Sequence, residues 1–172
     1  MACTLLTGYT DPTCYDLQGG VKEFWIGAYN STLTAVFGTD NIIGSFSAGT
    51  SSFNKFEQGI EQGTYNFSTE INNENGSIVY SQTAMLNLKG MDAADINRLR
   101  TLGQGRWRVA VKDNNDNYIL LGYRNGLRVS ELSGGIGKSM GDMVGSMLTL
   151  LGKDKEAGLE LSTLAATQLG IS

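Results

Sequence analysis

Residues 64–89 read Thr64-Tyr65-Asn66-Phe67-Ser68-Thr69-Glu70-Ile71-Asn72-Asn73-Glu74-Asn75-Gly76-Ser77-Ile78-Val79-Tyr80-Ser81-Gln82-Thr83-Ala84-Met85-Leu86-Asn87-Leu88-Lys89. Tyr65, Phe67, Thr69 and Ile71 alternate with Asn66, Ser68 and Glu70, which is the two-residue period of a half-buried strand. Asn72 to Gly76 then supplies residues that tolerate a positive φ in a turn. Residues 77–89 put Ile78, Tyr80, Ala84, Leu86 and Leu88 on one face. The whole segment predicts a long β-hairpin.

Downstream, Asp92 can cap a helix over 92–102, with Asp95 near the positive end of its dipole. Ile96, Leu99 and Leu102 share one side of that helix, and Gly103 can end it. In 106–112, Trp107, Val109 and Val111 alternate with Arg106, Arg108 and Lys112. A turn at Asp113–Asn117 leads to the apolar run 118–124. Asn125-Gly126 is a strong two-residue hairpin signal before 127–132. A three-stranded meander over 106–132 is therefore expected.

Upstream, 21–29 and 32–37 are strand candidates. So is 143–151, where periodicity alone does not separate strand from helix. Two stretches rich in small residues, 38–63 and 133–142, read as loops. A loop as long as the first is unusual inside a compact domain. Its isolated aromatics, Phe46, Phe53 and Phe56, leave two readings open: burial against another subunit, or a strand hidden within the segment.

The 172 residues suit a single domain, 1–172. Charged residues make up 17%, glycine occurs 23 times and proline once, a balance that fits a turn-rich β protein. Histidine is absent, which excludes a Ser-His-Asp triad, a Cys-His pair and His-ligated zinc. Two cysteines, Cys3 and Cys14, are too few for a four-cysteine zinc site; they are free thiols or one bridge. The net charge of -4, with no basic stripe, argues against groove-tracking DNA binding. No apolar run is long enough for a membrane helix, and the first residues lack the pattern of a signal peptide.

Few motifs carry chemistry. Gly134-Gly135-Ile136-Gly137-Lys138-Ser139 ends as a phosphate-binding loop does, but Leu132 stands where that loop needs its first glycine. The bland reading is a glycine hinge with a solvated lysine. Gly137, Gly141 and Gly145 have the spacing of a membrane-helix contact, but Lys138 and Asp142 interrupt them. The Asp113–Asn117 cluster lacks the glycine and glutamate positions of a calcium loop and reads as a hairpin turn. Trp25 and Trp107 could stack on a sugar or base, but each lies on an alternating strand where a core position is the simpler reading. No catalytic residue, cofactor site or metal site is expected, so the chain does not read as an enzyme.

The order of elements resembles the tail tube proteins of tailed bacteriophages. The resemblance covers roughly residues 60–160. It rests on the long hairpin, the single helix, Arg106-Trp107-Arg108-Val109-Ala110-Val111, an acidic turn, Tyr118-Ile119-Leu120-Leu121-Gly122, Asn125-Gly126-Leu127-Arg128-Val129 and the closing run Gly145 to Lys153. Ala2 to Gly8, with Gly19-Gly20-Val21-Lys22, is similar to the starts of phage tail proteins. The closing run departs from the pattern in its many Met and Gly residues.

The resemblance implies a mainly β chain, an antiparallel β-sandwich or barrel with one flanking α-helix and long assembly loops. It implies ring-forming subunits, commonly hexameric, whose rings stack into a tube within the virion tail after synthesis in the host cytoplasm. The partners it implies are further copies of the chain, other tail proteins, and DNA that passes through the lumen without specific binding; no membrane is involved. The assembly contacts expected from 38–63 and 133–142 are Phe46, Phe53 and Phe56, with Gly135, Gly137 and Met140. The other readings are another ring-forming tail component (terminator, hub or connector), a soluble β-sandwich binding module, and last a phosphate binder.

Overall fold

The computed structural model describes residues 8, 18–49, 51–139, 142 and 144–171. Cys3, Cys14 and Met140 lie outside the described residues. The elements run β1 (Val21–Ala28), β2 (Thr34–Phe37), a short 3-10 turn (Thr39–Asn41), β3 (Ile43–Ala48), β4 (Phe53–Glu57), β5 (Thr64–Asn72), β6 (Ser77–Lys89), α1 (Ala93–Gln104), β7 (Trp107–Asp113), β8 (Tyr118–Leu121), β9 (Arg128–Gly135), β10 (Gly145–Asp154), β11 (Leu159–Leu161) and α2 (Thr163–Gln168).

The strands form two separate sheets. The seven-stranded sheet has the order β2-β3-β11-β8-β7-β1-β4, and the four-stranded sheet has the order β5-β6-β10-β9. Alternation along the central strands divides the apolar residues between two cores. Phe24, Ile26, Val109, Val111 and Leu121 of the larger sheet meet Ala84, Leu86, Leu148 and Leu150 of the smaller one. The intervening residues Trp25, Ala110 and Leu120 face the other way, onto Leu33, Ile43 and the α2 residues Ala165 and Ala166, with Leu169 and Ile171 beyond them. The larger sheet is thus buried on both faces, which explains why β8 is apolar throughout.

This arrangement corrects the expected sandwich or barrel with one helix. The fold is a mixed α/β fold with two helices, and neither sheet closes, because the end strands of each sheet are not neighbours. The second helix is short but well specified. Ser162 caps it by accepting from the Ala165 N–H at 3.2 Å, and its Ala165 and Ala166 fill the second core.

The long hairpin has the expected faces, with Tyr65 opposite Ala84 and Ile71 opposite Ile78. Asp92 caps α1, accepting from the Asp95 N–H at 2.7 Å. The helix runs past Gly103 to Gln104, however, and Ile96 is exposed while Leu99 and Leu102 are buried. The expected meander over 106–132 is broken. β7 and β8 pair, but β9 lies beside β10 in the other sheet, so the Asn125-Gly126 turn carries the chain from one sheet to the other. Residues 143–151 hold strand, not helix: β10 begins at Gly145. The expected loops are also shorter than read. Residues 38–63 hold the 3-10 turn, β3 and β4, anchored by the buried Ile43 and Phe53, and β9 continues through Gly135.

Candidate functional site

Sheet pairing sets the first feature of the surface. The outermost strands of the smaller sheet, β5 and β9, have 9 and 8 residues and no strand partner on their outer sides among the described residues. The end strands of the larger sheet are shorter, 4 residues in β2 and 5 in β4. Long unpaired edges are a hazard that proteins usually blunt with charge, proline or a covering element. Here β5 carries one charged residue, Glu70, and β9 carries Arg128 and Glu131. Every pairing within this sheet is antiparallel, so with four strands the two edges run in opposite directions.

The same sheet presents a broad polar face. Opposite residues in register share a face. Asn66, Thr83, Leu151 and Arg128 therefore lie in one row, and Thr64, Met85, Thr149 and Glu131 in the next, all on the side away from the buried Ala84 and Leu148. Lys153 bonds both Glu70 carboxylate oxygens at 2.9 Å, which neutralises this pair and holds the Glu70 carboxyl below its usual range. The face mixes hydroxyl and amide groups with Met85 and Leu151 and, beyond that pair, carries one charge of each sign, Arg128 and Glu131, so neither sign forms a continuous stripe.

The sheet also overhangs its core at both ends. Beyond Gln82 the inner face of the hairpin carries Phe67, Ile71 and Ile78, each more than half exposed. At the opposite end Leu132, Ile136 and Val144 are exposed, around the paired Gly135 and Gly145.

The phosphate-loop resemblance dissolves in the geometry. Gly137 turns the chain at φ 75°, and the N–H groups of Lys138 and Ser139 both donate to Asp142 Oδ2, at 2.7 and 2.8 Å. Those bonds hold the Asp142 carboxyl below its usual range. The chain's own carboxylate thus stands where a phosphate oxygen would, and the next element is a strand. The Asp113 cluster is a hairpin turn. Asp113 Oδ1 accepts from the N–H groups of Asn115 and Asn117, at 2.9 and 2.8 Å. The turn also pins the entry to β1, since the Asn114 side chain donates to the Gly19 carbonyl and that of Asn115 to the Gln18 carbonyl.

Both tryptophans are held within the fold. Trp25 is buried in the second core, and Trp107 is half-buried with its indole N–H donating to the Leu102 carbonyl at 2.7 Å. A cleft of 540 Å³ separates β4 from α1, lined by Asn54, Lys55, Phe56, Arg98, Thr101 and Trp107 among others. Its cations already have partners: Lys55 meets Glu23 and Glu57, and Arg98 meets Asp95.

Of the residues singled out for assembly, Phe53 is buried against Gly27, Phe46 packs on the second core and Phe56 on the first. Gly135 ends the free β9 edge, and Gly137 belongs to the Asp142 turn. The edges themselves were not singled out from sequence, because alternation marks a strand without revealing whether it has two neighbours or one.

Among the described residues no helix is long and apolar enough to cross a membrane, and no group of three or more acidic or cysteine side chains is placed to hold a metal ion. Comparisons with protein-family models, curated proteins and solved structures find no match. The likeness to tail tube proteins therefore has no support from them, and the β-barrel it implied is absent.

Proposed function

We propose that this chain is a structural subunit that assembles with copies of itself into a ring, and that such rings stack into a tube. The observation that carries this reading is the pair of long, oppositely directed edges in one sheet, neither with a strand partner among the described residues, although α1 packs near β9. Addition of β9 of one copy to β5 of the next continues the antiparallel pattern and leaves the same two edges at the ends. Such a head-to-tail contact closes when its rotation divides a full turn. The polar face of the smaller sheet would then line the opening. A lining without a basic stripe lets a phosphate polymer slide, because it releases few counterions and so gains little affinity. The bacteriophage tail tube, conducting DNA, is the assembly of this kind to which the sequence resemblance points.

The test is negative-stain microscopy with sedimentation velocity over a concentration series. Rings or tubes with an open centre support the reading. A wild-type chain that stays monomeric at every concentration overturns it. An Asn66→Lys/Ser68→Lys variant, which places like charges along the β5 edge, should remain monomeric with unchanged thermal stability.

A further inference from the structure

The dipeptide Asn-Gly occurs twice in the chain, at Asn75-Gly76 and Asn125-Gly126. It is the least hindered setting for one spontaneous reaction of asparagine. The backbone nitrogen of the next residue attacks the side-chain amide carbon, and a glycine there has no Cβ in the way. The fold treats the two copies in opposite ways.

Asn75-Gly76 lies in the turn between β5 and β6, and both residues are exposed. The turn is held at its start, where Asn72 Oδ1 accepts from the N–H groups of Glu74 and Asn75, at 3.0 and 3.2 Å. Among the described residues, neither the Asn75 side-chain amide nor the Gly76 N–H has a hydrogen-bond partner. A Cβ built on Gly76 would meet nothing within 4 Å, so the amide has room to swing over the backbone nitrogen.

Asn125-Gly126 is locked. Asn125 Nδ2 donates to the Lys153 carbonyl at 2.9 Å, and the Asn125 carbonyl accepts from Arg106 Nε and Nη2 at 2.8 and 2.5 Å. The nitrogen that would attack donates to the Gly122 carbonyl at 2.9 Å, and Gly126 is buried. An amide tied to β10 does not reach that nitrogen unless both of these donor bonds break.

From this contrast we infer that Asn75 is a spontaneous modification site, converting to aspartate and isoaspartate in the folded protein while Asn125 is preserved. Hydroxide removes the Gly76 amide proton, and the Gly76 nitrogen bonds to Asn75 Cγ. The Cγ–Nδ2 bond then breaks, and the nitrogen takes a proton from water and leaves as ammonia. Water opens the resulting cyclic imide. Opening at the side-chain carbonyl gives aspartate; opening at the main-chain carbonyl gives isoaspartate. Either product places a new carboxylate beside Glu74, in a turn that closes through the pair Asn72 and Ser77. Isoaspartate also lengthens the main chain of the turn by a methylene. Neither change depends on assembly, because each occurs within one subunit.

The test holds the folded full chain and a urea-unfolded sample at mildly alkaline pH and follows both dipeptides by peptide mass mapping. In folded protein the Asn75 peptide should gain the mass of its acid form at least tenfold faster than the Asn125 peptide. In urea the two rates should converge, because the fold no longer separates them. An isoaspartyl carboxyl methyltransferase, with S-adenosylmethionine as methyl donor, should label aged wild type and leave aged Asn75→Gln largely unlabelled. The thermal midpoint of fresh Asn75→Gln should match wild type. Equal rates at the two dipeptides in the folded chain overturn the inference. So does an Asn75 that stays intact in folded protein over the time in which the unfolded chain converts. Labelling of aged Asn75→Gln at the wild-type level overturns it as well.

Discussion

The Gly122 N–H donates to Gln82 Oε1 at 2.8 Å, a buried hydrogen bond between β6 of the smaller sheet and the chain just past β8 of the larger one. The Gln82 Nε2 donates to the Glu156 carbonyl at 2.6 Å. One amide therefore joins both sheets and the segment leading to β11. Gly122 itself has φ 64°, and a Cβ there would lie 2.4 Å from Leu127 Cδ1, so the turn that switches sheets needs glycine. Gln82→Leu leaves a buried donor and a buried acceptor unpaired, at about 1–3 kcal/mol each. Urea unfolding should show a loss of about 2–6 kcal/mol, more than Gln104→Leu at the exposed end of α1 gives.

Arg108 is buried and hydrogen-bonds no carboxylate. It donates to the Tyr123 carbonyl at 3.0 and 2.7 Å and to the Asn30 carbonyl at 2.6 Å. Its guanidinium lies 4.6 Å from the Tyr29 ring centre and 5.4 Å from that of Tyr123, and burial lowers its pKa. A lysine has one nitrogen and does not span both carbonyls. Arg108→Lys should cost about 2–4 kcal/mol in denaturant unfolding, since charge-assisted bonds contribute about 1.5–3 kcal/mol each.

Tyr65 anchors the hairpin by donating its hydroxyl to the Ala157 carbonyl. Burial pushes its pKa up to about 12 from 10.0. The folded state therefore favours the neutral phenol. Its contribution is complete below pH 10 and is lost as pH rises from there through about 12. Thermal unfolding of wild type should weaken in that window, and Tyr65→Phe should remove this part of the alkaline dependence.

Asp142 behaves in the opposite sense. The Ser139 and Lys138 N–H groups hold its pKa below the usual aspartate value. The turn is therefore fully held above that usual value and is released as pH falls through the depressed one. Nuclear magnetic resonance should show the Lys138 and Ser139 amide signals moving together in that acid range. In Asp142→Ala the coupled movement should disappear.

How far the fold can be read from the residues depends on where each strand's neighbours come from. β5, β6, β7 and β8 were legible because each is half of a local hairpin, with its turn written between the halves. α1 was legible through Asp92. β3 and β4 were not, because small polar residues separate their anchors Ile43 and Phe53; β4 pairs with β1, distant in sequence, and the local β2–β3 hairpin is interrupted by two register shifts that break its alternation. α2 is a single short helix whose signal, Ser162 before Leu164-Ala165-Ala166, is too brief to stand alone. The split of β8 from β9 was hidden for another reason. Asn125-Gly126 does mark a turn, but Leu127 drops into the first core and carries the chain across it. The free edges depend on what is missing beside a strand, and no local pattern records that.

The even strand count of the smaller sheet has a consequence for handling the protein. A head-to-tail edge regenerates itself with every copy added, so growth has no intrinsic stop except closure. On the ring assembly proposed above, a substitution that alters the sheet's twist without touching either edge would change the angle per copy and turn a finite object into an open fibre. Insoluble material from such a variant would signal misdirected polymerisation by a well-folded subunit, distinguishable from unfolding by its retained near-ultraviolet circular dichroism.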